Sequence, residues 1–302
     1  MLSREREIYR WTFPAYMKVI GGSASSELAV KLASELDADV AETEVKRFPD
    51  DEAYVRVVDD LTDQDVVLVQ SAYPDREIIE LFLWQDAIAD FAVNSLKLII
   101  PYLGYARQDK TFLKGEAISV RALANLIQMG ASEIYTVDAH SRDSGRFFDV
   151  RWTEISAAPA IAGRLGKLGA DSVLAPDKGA LERAKAVADI LGCESDYLEK
   201  KRIDSYTVEV SPKSLDVEGK TVAIVDDIIS TGGTIVRATE ELKKHNASKV
   251  VAACTHGLFV GDALEKLKVC DDVFCTDTLE SPVSMVTVAG VLAEALRKPA
   301  QS

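Results

Sequence analysis

Short apolar runs alternate with amphipathic stretches along the chain from about residue 17 onward. The runs, such as residues 65–71 and 222–225, are rich in β-branched residues and have no polar face. Runs of this kind predict buried parallel strands. The stretches between them have helical spacing, as at residues 75–91, which predicts helices with one buried face. The repeated order of strand and helix predicts an α/β fold built on mostly parallel sheets flanked by helices.

The pattern divides the chain into two halves after a short N-terminal segment. Residues 1–16 are charged and then aromatic and lack the apolar core of a signal peptide, which indicates an N-terminal extension or leader. The first strand is expected to begin at Met17. The alternation pauses and restarts near residue 156, which separates an N-terminal α/β domain (17–156) from a C-terminal one (157–302). The last helix is placed so that it can pack back on the N-terminal domain.

The stretch from Val222 to Thr234 carries the strongest functional signal. Its predicted strand leads into two carboxylates, Asp226 and Asp227, and then into a loop that opens a helix. Paired glycines let the backbone turn with its N–H groups inward, and the helix N-terminus adds its dipole. The loop therefore predicts a nest for a phosphate monoester, and the carboxylates suit sugar hydroxyls or a Mg²⁺ bound with the sugar. The loop residues are Ser230, Thr231, Gly232, Gly233 and Thr234.

A glycine-rich turn with solvated acids is the alternative interpretation of this stretch. It would suffice for a lone Gly-Gly pair. The combination of buried strand, paired acids, hydroxyl-glycine loop and helix is more specific and favours a binding site.

Two other strand ends in the first half carry residues suited to an anionic ligand. Arg107 and Gln108 follow the predicted strand at 96–101. Arginine can grip phosphate oxygens with two parallel hydrogen bonds, and Gln108 can read an amide-like base edge. His140 follows the strand at 134–137 and is a candidate Mg²⁺ or phosphate ligand, although a lone histidine is more often structural. Ligands of open α/β sheets sit at the carboxyl ends of strands, which favours function over a solvated basic loop.

The second half repeats this arrangement. Asp177, Lys178 and Gly179 follow the strand at 171–175. The aspartate can hold a metal, while the lysine and the glycine backbone can hold diphosphate oxygens. Residues 199–202, EKKR, cluster three cations, which we interpret as a mobile basic loop or hairpin that closes over phosphates. The alternative is a solvated charged face.

Composition excludes several classes of function. Lys+Arg number 35 against 49 Asp+Glu, so the net charge of −14 disfavours non-specific binding to nucleic acid. The sequence also lacks the basic aromatic stripe of a nucleic-acid binder. No apolar run approaches the length of a membrane span. The four cysteines form no CxxC pair and fit a reducing, cytoplasmic setting. We therefore expect neither nucleic acid nor a membrane as partner.

Six motifs together resemble the ribose-phosphate diphosphokinase family, the phosphoribosyl pyrophosphate synthetases. In chain order they are FPDDE, PYLGYARQD, DAH, PDKGA, EKKR and VDDIISTGGT. The resemblance extends from about Met17 to Leu296 and is greatest for the archaeal branch. It implies two phosphoribosyltransferase-like (Rossmann-type) domains with the active site between them. It also implies transfer of the diphosphoryl group of Mg-ATP to the C1 hydroxyl of ribose 5-phosphate, which gives phosphoribosyl pyrophosphate and AMP for nucleotide biosynthesis.

The resemblance assigns the nucleotide site to two regions. Arg107 and Gln108 match positions that contact ATP. Phe48, Asp50 and Glu52 of the FPDDE turn match positions that reach the adenine pocket of a neighbouring subunit. A nucleotide site shared in this way implies a homodimer or a larger homo-oligomer.

The resemblance also assigns the metal and sugar sites. His140 and Asp177 match the positions that hold Mg²⁺ on ATP, and Asp177, Lys178 and Gly179 lie where the diphosphate is handled. The remaining matches are the catalytic Lys200 and Arg202 and the ribose 5-phosphate residues Asp226, Asp227, Ser230, Thr231, Gly232, Gly233 and Thr234.

Two positions depart from the family pattern. Asp51 stands where many relatives have glycine in the FPDDE turn, and the basic loop is Lys-Lys-Arg rather than Lys-Arg-Arg.

Two alternative functions remain open. A phosphoribosyltransferase would use the same Val222–Thr234 loop to consume the sugar diphosphate, but such enzymes are commonly shorter. A non-catalytic regulatory homologue of the synthetase is the other alternative. The presence of Lys200 and Arg202 favours an enzyme over it.

Overall fold

Two β-sheets, one from each half of the chain, form the framework of the protein. The computed structural model describes residues 17–202, 208–212 and 216–298, and the side chains of residues 200–202 and 208–212 lie outside what it describes. The elements of the first half are β1 (Met17–Gly21), α1 (Ser26–Leu36), β2 (Asp39–Val40), β3 (Thr43–Arg47), β4 (Ala53–Val57), β5 (Asp65–Val69), α2 (Asp75–Ala89), β6 (Ser95–Ile100), α3 (Ser119–Ile127), β7 (Glu133–Val137) and β8 (Arg151–Ile155).

The first sheet is parallel throughout. Its strand order is β2-β1-β5-β6-β7-β8, with α1, α2 and α3 in the connections. Strands β3 and β4 form a separate antiparallel hairpin, whose tip is the FPDDE turn. A 3₁₀ turn at Arg142–Phe147 connects β7 to β8.

The second half builds a larger sheet on the same principle. Its elements are α4 (Ala158–Lys167), β9 (Ser172–Ala175), α5 (Leu181–Leu191), β10 (Glu194–Arg202), β11 (Val208–Pro212), β12 (Thr221–Ile229), α6 (Gly233–Lys244), β13 (Lys249–Gly257), α7 (Ala263–Lys266), β14 (Asp272–Thr276), β15 (Ser284–Val286) and α8 (Ala289–Arg297). The order is β11-β10-β9-β12-β13-β14-β15, and each pair is parallel except β10 with β11. The predicted fold class is confirmed.

The central strands are apolar along their whole length because both faces of each sheet are covered. Residues 66–69 of β5 and residues 250–253 of β13 are fully buried. Helix α5 ends at Leu191, and Gly192 takes the left-handed φ of 70° that commonly closes a helix. In the described part of the chain, no helix is both long enough and apolar enough to cross a membrane.

One hydrophobic core extends across both halves. Leu28 and Leu32 of α1 belong to the same buried cluster as Phe274 of β14 and Leu292 of α8. At its end, α8 makes a further link to the first half, where Arg297 donates to the carbonyl oxygen of Glu35. The last helix therefore packs against the first helix of the described chain.

Strands β8 and β12 differ from the sequence-based expectation in ways that bear on the site. The pattern does not predict β8, a strand with the partly polar sequence RWTEI that pairs with β7. Strand β12 continues to Ile229, so Asp226 and Asp227 lie inside the strand rather than after it. Pairing with β13, which places Asp226 opposite Cys254, extends the strand past its apolar run. The domain boundary near residue 156 stays a prediction.

Candidate active site

The loop from Ser230 to Thr234 joins β12 to the N-terminus of α6. Gly232 is the N-cap residue of α6 and has a φ of 75°, a conformation that glycine adopts without strain. No side chain caps the first turn of α6, so its N–H groups are available to a ligand. On the outer side, the N–H of Val260 donates to the carbonyl oxygen of Ser230 at 2.9 Å and braces the loop.

The paired carboxylates preceding the loop have opposite electrostatic character. Burial and the adjacent Asp227 carboxylate raise the pKa of Asp226 to about 8. Burial also opposes ionisation of Asp227, but the hydrogen bond to His140 and the charge of Arg183 outweigh it, so the pKa of Asp227 lies well below its usual range. The pair therefore offers one firmly ionised carboxylate beside a group that a cation or hydrogen-bond donor could help to ionise.

His140 approaches this pair from the first half of the chain. Its Nδ1 lies 2.7 Å from Oδ2 of Asp227, although 87 residues separate the two in sequence. The ring is 46% exposed, whereas the Asp227 carboxylate is only 6% exposed. The carboxyl ends of β7 and β12 thus meet between the two halves of the chain.

Two cavities meet at Arg107. The first, which we call the loop cavity, has a volume of about 200 Å³. It is lined by Arg107, Asp226, Ile228, Ile229, Ser230, Thr231, Gly232, Gly233, Thr234 and Ile235. The second, the basic cavity, has a volume of about 500 Å³. It is lined by Arg107, Asp109, Lys110, Phe112, His140, Ser141, Arg142 and Asp143. Because Arg107 lines both, ligands in the two cavities would be neighbours.

The loop that carries Arg107 is tied to its surroundings on both sides. Oε1 of Gln108 accepts a hydrogen bond from Ser119 of α3 at 2.7 Å. The side chain of Asp109 accepts one from Ser141 at 2.7 Å, which links this loop to the segment after His140. Among the described residues, the amide N–H groups of Gln108 have no acceptor, so they are available to a ligand.

Asp177 is exposed and caps its own turn. Its Oδ1 accepts hydrogen bonds from the N–H of Gly179 at 2.8 Å and of Ala180 at 3.3 Å. Lys178 and Gly179 are also exposed. The charge of Asp177 contributes to the raised pKa of Asp226, behind burial and the Asp227 carboxylate. Within the described ranges, no cluster of three or more His, Cys, Asp or Glu side chains is arranged to hold a metal ion by itself.

The FPDDE turn stands apart from this site. Its backbone is closed by a hydrogen bond from Phe48 N to Glu52 O of 2.8 Å, while the side chains of Phe48, Asp50 and Glu52 are exposed. Asp50 and Glu52 line another cavity, of about 440 Å³, beside α2. The structure therefore does not bring these predicted nucleotide contacts together with Arg107 of the same chain.

Lys200 and Arg202 lie on β10, in register with Val210 and Val208 of β11. The segment is thus a hairpin, one of the two forms expected. The side chains of Lys200 and Arg202 fall outside the described residues, so their roles stay predictions.

Gly21 and Gly22 lie in the turn between β1 and α1, whose backbone donors are bound by internal acceptors. The N–H of Ser23 donates to the buried Glu80 carboxylate at 2.7 Å, and that of Ala24 donates to Gln70 at 3.1 Å. These internal acceptors occupy the donors that an anion would need.

Sequence reasoning misses several residues that are linked to Asp227 or form a network around Asp138. They are Asp138, Glu154, Arg183, Thr255 and His256. His256, without a functional signal in the sequence, is 1% exposed and lies 2.9 Å from Thr278 Oγ1 and 3.3 Å from the carbonyl oxygen of Asp138. Its place at the carboxyl end of β13 is the one signal that could have identified it.

Comparison with known families covers both halves of the chain. A family model of the N-terminal domain of ribose phosphate pyrophosphokinase matches residues 17–130. A model of the phosphoribosyl transferase domain matches residues 156–289.

Individual relatives match along nearly their full length. The chain is 42% identical to ribose-phosphate pyrophosphokinase from Methanothermobacter thermautotrophicus over 92% of this chain and 99% of the relative. It is 44% identical to the Pyrococcus furiosus protein of the same name over 83% of this chain and 91% of that relative. The crystal structure of phosphoribosylpyrophosphate synthetase from Mycobacterium smegmatis aligns with a TM-score of 0.81 at 31% identity, over 93% of this chain and 98% of that one.

Proposed function

The chain belongs to the ribose-phosphate pyrophosphokinase family, and on that premise we propose how its residues form phosphoribosyl pyrophosphate. The enzyme transfers a diphosphoryl group from ATP to the C1 hydroxyl of ribose 5-phosphate and releases AMP. The observation that carries this assignment is the meeting of the loop cavity and the basic cavity at Arg107, with His140 2.7 Å from Asp227 between the halves.

The loop cavity is our proposed ribose 5-phosphate site. The 5-phosphate would accept hydrogen bonds from the N–H groups at the start of α6 and from the hydroxyls of Ser230, Thr231 and Thr234. Asp226 and Asp227 would accept hydrogen bonds from the ribose hydroxyls. The contact between His140 and Asp227 supports this division of roles, because it joins the end of β7 to the carboxylate pair that precedes the loop.

The basic cavity is our proposed site for the ATP phosphates. Arg107, Lys110 and Arg142 supply positive charge in a chain whose net charge is −14. Gln108, with free amide donors, is assigned to the base or ribose of ATP. Because the basic cavity adjoins the loop cavity, the β-phosphorus of ATP can lie next to the sugar hydroxyl that attacks it.

The reaction itself needs no covalent intermediate on the protein. The C1 oxygen forms a bond to the β-phosphorus as the bond between that phosphorus and the oxygen bridging to the α-phosphorus breaks. The protein aligns the attacking and leaving oxygens, neutralises developing charge and excludes water. We assign the neutralising role at the diphosphoryl group to Lys200 and Arg202, with Lys178 and the backbone of Gly179 alongside.

The residues present fit a Mg²⁺ ion that arrives with ATP. Burial and the Asp227 carboxylate raise the pKa of Asp226 to about 8, so a cation bound beside it would favour its ionised form. Mg²⁺ is usually held by one or two carboxylates and substrate phosphates rather than by a complete protein cage, in keeping with the absence of such a cage among the described residues. Asp177 and His140 would hold the ion, which supplies charge neutralisation at the phosphates when bound.

The FPDDE turn supports a shared nucleotide site. Phe48 is 46% exposed. The turn lines a different cavity from the one that Arg107 of the same chain lines. We therefore assign Phe48, Asp50 and Glu52 to the adenine pocket of a second subunit, which makes the working enzyme at least a homodimer. Four free cysteines support a reducing, cytoplasmic location.

The test is a product assay with ribose 5-phosphate, ATP and Mg²⁺. AMP released in step with phosphoribosyl pyrophosphate is the expected outcome. Formation of ADP would replace diphosphoryl transfer by ordinary kinase chemistry. Binding of both ligands without any product would contradict catalysis and assign the chain to the regulatory class.

A further inference from the structure

Arg183 contacts both halves of the proposed site through a single nitrogen of its guanidinium group. It stands in the first turn of α5, in the second half of the chain. Its Nη2 donates to the carbonyl oxygen of Ala139 at 2.9 Å and lies 3.5 Å from that of His140. The same nitrogen lies 3.5 Å from Oδ2 of Asp227, and the side chain is only 18% exposed.

The contacts of Arg183 link the proposed ATP cavity to the proposed ribose 5-phosphate residues. The backbone of Ala139 and His140 belongs to the segment that lines the basic cavity. Asp227 belongs to the carboxylate pair that precedes the phosphate loop. The guanidinium therefore ties a main-chain segment of the first half to a side chain of the second half.

The charge of Arg183 also suits this place. Asp227, whose carboxylate lies 3.5 Å from Nη2 of Arg183, is 5% exposed, and the charge of Arg183 also opposes the rise in the pKa of the partly buried Glu154. A buried arginine opposes the mutual repulsion of such carboxylates. Because Arg183 is held by carbonyl oxygens as well as by a carboxylate, its position is defined by geometry and not by charge alone.

We propose that Arg183 is a positioning residue that couples the nucleotide side to the ribose 5-phosphate side by holding the Ala139–His140 backbone and the Asp227 carboxylate in one fixed arrangement. The proposal rests on the proposed function. Arg183 itself touches neither substrate; it acts through His140 and Asp227. A lysine would keep the charge but would carry it on a flexible stem, so its ammonium group would not be held at the position of Nη2 between these partners.

The proposal predicts a separation of catalysis from binding. In Arg183→Lys, we expect kcat to fall by about 100-fold, because small errors in the alignment of two reactants cost about that much. The dissociation constants of ribose 5-phosphate and of a non-hydrolysable ATP analogue, each measured alone by calorimetry, should stay within about threefold of those of the unmodified enzyme. The coupling between the two ligands should differ: each should tighten the other at least about fivefold in the unmodified enzyme and not in the variant.

Arg164→Lys is the matched control. Arg164 is also a partly buried arginine of the second half, 29% exposed and 3.8 Å from Asp272, but Asp272 lines neither cavity, whereas His140, which Arg183 contacts, lines the basic cavity. This control should keep kcat and the ligand coupling of the unmodified enzyme. If Arg183→Lys proves unstable, Arg183→Ala provides the second test. A positioning role predicts that millimolar guanidinium ion partly restores the kcat of this variant. Arg164→Ala should keep the kcat of the unmodified enzyme without added guanidinium.

The outcomes separate this inference from the proposed function. Failure of the unmodified enzyme to form phosphoribosyl pyrophosphate would overturn the proposed function. An active enzyme whose Arg183→Lys variant keeps full kcat, or shows undiminished ligand coupling, would overturn the inference alone. Loss of ribose 5-phosphate affinity with unchanged kcat would also overturn it, because Arg183 would then act as a binding residue. A variant that does not fold and an alanine variant that guanidinium cannot restore would count against it in the same way.

Discussion

At the scale of single residues, buried carboxyl groups dominate the chemistry around the proposed site. Glu154 on β8 illustrates the energetic cost of burying an ionisable carboxyl group. Burial first, and then the charge of Asp138, raise the pKa of Glu154 to about 7, although Arg183 and Arg142 partly offset them. The group therefore holds its proton in the folded protein at pH values where the unfolded chain has released it.

Replacement of Glu154 by glutamine should make the protein more stable at alkaline pH and leave it unchanged in acid. Because the pKa is about 7 when folded and 4.5 when unfolded, the folded state binds more protons between these values, and the stability of the unmodified protein falls as pH rises through that window. We expect Glu154→Gln to raise the free energy of unfolding by about 1–2 kcal/mol at pH 8, a figure reduced for the partial exposure of the group.

Urea denaturation at pH 5 and pH 8 measures this difference. The exposed Glu265 provides the control, since Glu265→Gln should change stability equally little at both pH values. A pH-independent effect of Glu154→Gln would show that Glu154 stays ionised in the folded protein.

At the scale of elements, the most informative features of the site are the turns at strand ends. Gly232 and Asp51 both have positive φ values, 75° and 70°. Glycine accepts this conformation, whereas aspartate tolerates it at some cost. Arg47 compensates at the FPDDE turn: it donates to the carbonyl oxygen of Asp51 at 3.1 Å and lies 3.4 Å from the buried Glu77 of α2. The turn thus keeps a defined shape despite the replaced glycine.

Gly232→Ala should damage the phosphate loop. The added Cβ would lie 3.2 Å from Cγ of Leu267, in a backbone conformation that alanine adopts only with strain. We expect a loss of about 1–3 kcal/mol of stability and a KM for ribose 5-phosphate raised by about tenfold or more. Gly233→Ala is the stability control, because no atom lies within 4 Å of its added Cβ. Equal destabilisation by both substitutions would contradict the role of the left-handed turn.

The β10–β11 hairpin should contribute to catalysis rather than to nucleotide binding. If Lys200 neutralises charge in the transition state, Lys200→Ala should lower kcat by about 100- to 1000-fold while ATP affinity is largely kept. Lys201→Ala removes the same charge one residue away on the same strand. Comparable losses in both variants would attribute the effect to the overall charge of the hairpin, and turnover retained by Lys200→Ala would contradict its assigned role.

Local patterns predicted much of the fold and part of the site. The order of strands and helices, the phosphate loop and the strand-end residues Arg107 and His140 each follow from a few neighbouring residues. Arg183 and Thr255 could not be found in this way, because their roles depend on contacts with residues 44 and 117 positions away. Strand β8 escaped prediction for a similar reason, since it owes its conformation to pairing with β7 and not to an apolar run.

At the scale of the whole molecule, buried polar contacts join the two halves beside their shared core. Thr255 of β13 donates to Oδ2 of Asp138, at the end of β7, at 2.7 Å. Ser71, after β5, donates to the carbonyl oxygen of Thr278 at 2.7 Å, and its hydroxyl accepts from the N–H of Tyr102 at 3.1 Å. Because breaking such contacts leaves buried groups without partners, we expect the halves to unfold together rather than in sequence.

Thr255→Val tests this cooperativity, because the substitution lies in one half and the fluorescent reporters lie in the other. Trp84 and Trp152 both belong to the first half, and replacing Trp11 by phenylalanine removes the tryptophan outside the described residues. Loss of the hydroxyl deprives the buried Asp138 carboxylate of a donor and should cost about 1–3 kcal/mol. The urea midpoint from tryptophan fluorescence should therefore fall by the same amount as the midpoint from far-ultraviolet circular dichroism.

Thr43→Val, the same change in the β3–β4 hairpin, should shift neither midpoint appreciably. An unchanged fluorescence midpoint in Thr255→Val, with an earlier loss of circular dichroism, would mean that the second half unfolds independently and that the contacts between the halves align the site without stabilising the first half.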